Sequence, residues 1–141
     1  MATETDVVAA FCAAARHNDV DGMVAALAPD AELISPLSSR IVIRGRDDLR
    51  IALGVIYGSL TDLRWTEFIG SGSTRVAVSE AGIGRFGITD AMIIELAEDG
   101  RIRRIRPHLR PWLGTTVFAL LGAAKLGRYP GLMRRALRPD G

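Results

Sequence analysis

Cysteine, histidine and aromatic residues are scarce in this 141-residue chain: one Cys, two His and 6% aromatics. The lone Cys12 excludes an internal disulfide and any cysteine metal cluster. It sits beside Phe11 in an apolar helical pattern and reads as a small buried hydrophobe. Two distant histidines and one cysteine give no metal-ligand spacing, so neither metal nor cofactor is expected. No apolar run reaches the roughly 20 residues that span a bilayer. Arg44-Gly45-Arg46 lacks the Gly-x-x-x-x-Gly-Lys pattern of a phosphate loop. No basic leader followed by an apolar core opens the sequence, and a cytoplasmic location is the expectation.

What is present is a normal globular balance, 48% hydrophobic and 24% charged. The net charge of +2 conceals an asymmetry. Residues 1–100 carry 8 basic and 15 acidic side chains, a balance of −7; residues 101–141 carry 10 basic and 1 acidic, a balance of +9. Arg101, Arg103, Arg104, Arg106 and Arg110 fall in a strand pattern without interleaved aromatics. That excludes the stacking platforms of nucleic-acid binders and points to attraction between the two halves of a fold or dimer.

Val7, Val8, Phe11, Ala14 and Ala15 recur at helical spacing, with Thr3 or Thr5 as cap. Asp19 caps a short helix from about Val20 to Leu27, which Pro29 ends. Strands follow at about 31–35 and 41–44. Leu49, Ala52, Leu53, Ile56 and Tyr57 form the buried stripe of a third helix. From Leu63 the period changes to strands at roughly 63–69, 74–83, 87–97 and 101–110. Helices first and antiparallel strands after predict an α+β domain. Trp112 to Leu126 reads as one more helix, apolar on nearly every side, and residues 132–137 as a last turn.

The run from Asn18-Asp19-Val20-Asp21-Gly22 to Ile34-Ser35-Pro36, followed by Arg44-Gly45-Arg46-Asp47-Asp48-Leu49, resembles the opening of the nuclear transport factor 2-like superfamily. That group includes steroid isomerases, limonene epoxide hydrolases and SnoaL-type polyketide cyclases. The resemblance implies a cystatin-like cone over residues 1–111: N-terminal helices in the concave face of a curved, mixed, mostly antiparallel sheet. Residues 112–141 would be a helical extension. It also implies an apolar pocket and a homodimer paired through an apolar outer face at Ile93, Ile105 and Leu109.

The same resemblance argues against the best-known reactions. The steroid isomerases' base aspartate falls on Ser35 and their oxyanion-hole tyrosine on Phe11. Their protonated aspartate falls near Met92, or on Asp90 after a two-residue shift. An acid of the epoxide hydrolases falls on Arg110.

A three-residue turn at Glu98-Asp99-Gly100 would pair Asp90 with His108 and Met92 with Arg106 on the pocket face. A turn one residue longer or shorter would set His108 opposite Ala91 instead. With the first register Asp90 and His108 are candidate proton-transfer residues, and Arg106 and Arg110 candidates for holding an anion. Met92, Tyr57, Trp65, Phe11 and Ser35 complete the candidate ligand contacts. Two functions stay open: a cofactor-free isomerase or cyclase acting on a small apolar or polycyclic molecule, and a non-catalytic binder or dimeric accessory module. A weak membrane-surface contact through residues 112–138 is a further expectation.

Overall fold

The computed structural model describes residues 6–138. Among them lie five helices and a seven-stranded sheet. Helix α1 spans Val7–Arg16 and is capped by Asp6, whose carboxylate accepts from Val8 N at 2.9 Å. The expected caps, Thr3 and Thr5, lie outside the described residues. Helix α2 (Val20–Ala25) starts at Asp19, which accepts from Gly22 N at 3.1 Å. Helix α3 spans Arg46–Gly58 and follows Gly45 at a φ of 84°, a left-handed angle that favours glycine.

Pro29 does not end α2 as expected. The helix closes at Ala25, and β1 (Leu27–Ile34) already contains the proline. The pairing of β1 with β6 (Ile102–Arg106) shifts register between Leu27 and Glu32, and Pro29 sits in that interval. A residue without an N–H is tolerated where the ladder is interrupted. The remaining strands are β2 (Val42–Arg44), β3 (Thr61–Ile69), β4 (Thr74–Ile83), β5 (Phe86–Leu96) and β7 (Leu109–Arg110). Their order is β2-β1-β6-β5-β4-β3, with β7 on β5. Among the described residues only the β1–β6 pair is parallel, so the sheet is mixed and mostly antiparallel as expected.

The expected strand 101–110 is two strands, because Pro107 between them cannot donate to a ladder. Its register also differs. The turn holds three residues as expected, with Ala97 N donating to Arg101 O at 2.7 Å and Leu96 facing Ile102. One residue further on, Glu95 faces Arg104 and not Arg103. Arg103 is an extra residue in β6, a bulge that moves every later partner by one. Ile94 therefore faces Ile105, Ile93 faces Arg106, and Asp90 faces Leu109. Ala91 and His108 exchange both backbone hydrogen bonds, at 2.9 and 3.0 Å.

The core fills the concave side: Phe11, Met23, Leu27, Leu49, Leu53, Met92, Ile94, Ile102 and Ile105 are fully buried. Each such side chain contributes roughly 1.5–3 kcal/mol by leaving water. Ile105 and Leu109, expected on the convex face, point inward in this register; Ile105 is in the core and Leu109 beside it. The convex face carries ion pairs instead. Glu95 meets Arg103, Arg104 and Arg106 at 3.3, 3.3 and 3.6 Å, and Glu32 meets Arg44 and Arg104 at 3.2 and 3.3 Å. The acidic first hundred residues and the basic remainder attract one another here within the fold.

Helix α4 (Trp112–Leu126) crosses the sheet at β5, and α5 (Pro130–Ala136) packs against β2. Arg135 donates to both oxygens of Asp48, each at 2.7 Å, tying α5 to the first turn of α3. Gly114 lies so close to the Gly87 carbonyl that a Cβ there would collide with it. Gly114→Ala should therefore lift α4 from β5 and cost about 1–3 kcal/mol, read from urea unfolding. An unchanged midpoint would mean that α4 is not held there.

Candidate functional site

The concave face of the sheet and the inner sides of α1, α3 and α4 enclose two adjoining chambers. The inner one, of about 60 Å³, is lined by Phe11, Tyr57, Ser79, Asp90, Met92 and eleven other residues, all of those eleven apolar or proline. The outer one, of about 210 Å³, lies between α3, the β1–β2 connection and α4. Leu33, Pro36, Ile56 and Phe118 line both and form the partition. Among the described residues, no arginine, lysine or histidine lines either chamber.

Period-two alternation along β5 puts Ile88, Asp90, Met92 and Ile94 on the concave side. Asp90 is the one ionisable carboxyl among the inner chamber's lining residues. Burial lifts its pKa from 3.8 to about 7, while the backbone N–H of His108, donating to Oδ1 at 3.1 Å, opposes the rise. The carboxyl is thus poised between its two forms near neutral pH. Ser79 faces Asp90 across the β4–β5 ladder and is 4% exposed. Tyr57 O–H donates to Met92 Sδ at 3.7 Å, and its ring meets Phe11 edge-on at 6.3 Å. Deep burial, with Asp90 second, raises the Tyr57 pKa, so the phenol stays protonated. Burial likewise holds the Cys12 thiol at about 12, which leaves it unreactive.

Of the expected residues, Asp90, Met92, Tyr57 and Phe11 meet in the inner chamber. Ser35 lines the outer one, its hydroxyl accepting from Leu37 N at 3.1 Å. Four others lie elsewhere. The Arg103 bulge turns His108 outward, where it is exposed with Nδ1 3.2 Å from the Ala91 carbonyl. Arg106 points to the convex face beside Glu95, and Arg110 is exposed opposite Thr89. The side-chain pair of Asp90 and His108 is therefore not formed; only the histidine's backbone reaches the carboxylate. Trp65 faces inward but is spent on structure, donating from Nε1 to Cys12 O at 2.9 Å and stacking on Phe68.

Ser79 and Phe118 were missed. For Ser79 a signal existed: Gly84-Arg85 is a two-residue hairpin turn, and counting outward from it sets Ser79 against Asp90. Phe118 carried none, since a helix apolar on all sides does not show which side faces inward.

No protein-family model matches the sequence, and no curated protein does. Solved structures match well. An uncharacterised protein with a cystatin-like fold from Silicibacter pomeroyi superposes with a TM-score of 0.87 at 20% identity, covering 96% of each chain. A steroid delta-isomerase from Pseudomonas aeruginosa gives 0.78 at 20% identity, over 93% of this chain and 98% of that one. The fold is cystatin-like, shared with these structures. SalBIII, described as an epoxide hydrolase/cyclase-like enzyme in pyran ring formation, gives 0.63 at 17% identity over 77% of this chain and 90% of its own.

Within this cystatin-like cone the raised pKa of Asp90 carries a sign. The folded state holds its proton more tightly than the unfolded state does, so folding loses stability as pH rises from about 4 to about 7 and then levels. The loss is on the order of 2–4 kcal/mol, the lower figure allowing for water that reaches a half-buried residue. Asp90→Asn should match the wild type near pH 4 and become the more stable protein as pH reaches 7, measured by thermal unfolding. Parallel profiles for the two would contradict the burial of this carboxyl.

Proposed function

We propose that this cone binds a small, neutral, oxygen-bearing apolar molecule and that Asp90 exchanges a proton with it, in a cofactor-free isomerase- or cyclase-type reaction. The observation that carries the reading is a single carboxyl, with a pKa of about 7, aimed into a cavity otherwise almost wholly apolar. A general acid or base works best when its pKa lies near the ambient pH. As a base, Asp90 would take a proton from carbon beside a carbonyl. The C–H pair would move toward the carbonyl oxygen, and the resulting acid would return the proton to another atom of the same molecule. Neutrality of the ligand follows from the lining, which offers no cation to an anion and sets Asp90 against it. Two structural neighbours, a steroid delta-isomerase and an epoxide hydrolase/cyclase-like enzyme, support the reaction class.

The second reading is a non-catalytic binder in the same cavity. It is favoured by the outward turn of His108, which leaves Asp90 without a partner acid or base. Protein-dependent exchange of α-protons for deuterium in a panel of small cyclic ketones and enones, followed by NMR, separates the two. The catalytic reading expects exchange that falls about 100-fold or more in Asp90→Asn. It expects His108→Ala to keep its rate. Saturable binding of these ketones without exchange would leave the binder.

A further inference from the structure

Helix α4 is apolar on both sides, and one side is left uncovered. Phe118, Ala119, Gly122, Ala123 and Leu126 line the outer chamber. On the remainder of the helix Trp112 is 77% exposed and Leu120 67%, with Leu113 and Leu121 also exposed. A helix apolar all round is usually enclosed by protein or lipid. At 15 residues it is about 22 Å long. Among the described residues no helix is long and apolar enough to cross a membrane.

Cations bracket this face. Arg110 precedes the helix, Lys125 closes its last turn, and Arg128, Arg134 and Arg138 follow, all exposed. Not one acidic residue occurs from Arg110 to Arg138. Arg128 and Arg134 form no ion pair among the described residues. Trp112 at one end and an exposed Tyr129 just past the other are the amphipathic rings that settle at headgroup level.

We infer that α4 and the basic segment after it form a docking surface for an anionic lipid bilayer, with α4 lying in the interface plane. Charge complementarity selects this occupant over a second copy of the chain. A symmetric dimer through α4 would bring the same acid-free patch against itself, with nothing to neutralise Lys125, Arg128 and Arg134. A bilayer rich in anionic headgroups supplies those counter-charges and takes up the exposed leucines and Trp112 together. The inner side of the same helix walls the outer chamber, so the apolar cavity lies directly behind the lipid-facing surface.

Co-sedimentation of the full chain with phosphatidylglycerol-rich vesicles and with pure phosphatidylcholine vesicles tests this. Partition should favour the anionic vesicles by about tenfold or more, and that preference should collapse in high salt. Arg128→Glu combined with Arg134→Glu should weaken binding to anionic vesicles by about tenfold or more at an unchanged unfolding midpoint. Leu120→Asp should weaken binding to both; if it misfolds, the arginine pair still decides. Equal partition, no partition, or a concentration-dependent dimer that Leu120→Asp abolishes without any vesicle uptake would overturn the inference.

Discussion

One extra residue, Arg103, sets the chemistry of the cavity. Side chains alternate across a sheet with a period of two, so a single inserted residue exchanges the faces of everything beyond it. Because of it Ile105, Pro107 and Leu109 turn toward the cavity, while Arg106, His108 and Arg110 turn away. An uninterrupted β6 would have put three cationic or titratable side chains beside Asp90. The bulge instead sends Arg104 and Arg106 to Glu32 and Glu95 on the convex face and leaves the concave side apolar.

The carboxyl's behaviour follows from that sorting. A carboxylate beside an arginine would keep a low pKa and serve as half of an ion pair. Asp90 has only a backbone N–H from His108 to favour its charged form, and burial outweighs it. The group is consequently able to gain or lose a proton near neutral pH, which is the property that the proposed chemistry needs. The same apolar lining that raises its pKa also sets the kind of molecule the cavity will admit.

Much of this fold was legible because it rests on strong periodic signals. The stripe Leu49, Ala52, Leu53, Ile56 and Tyr57 marks α3, and Asp19 marks the start of α2 by a real cap. Trp112–Leu126 was readable to the residue from its apolar run, which ends at Gly127. Asp90 and Met92 share a parity on β5, so their common face was readable too. The bulge left a signal that was passed over: Ile102 and Ile105 are three apart, so Arg103-Arg104 breaks the alternation, and both isoleucines reach the core only with an extra residue between them. His108 and Arg106 were misplaced for that reason alone. Pro29 was misjudged differently: proline ends helices, but it also fits a strand where the ladder is interrupted.

The titration of the Asp90 side-chain carboxyl, followed by carbon-13 NMR and assigned by its loss in Asp90→Asn, tests the account most directly. A midpoint near 7 is expected for an acid held in an apolar hollow with one backbone donor. A midpoint near the ordinary 3.8 would place that carboxyl in contact with water or a cation and contradict the account.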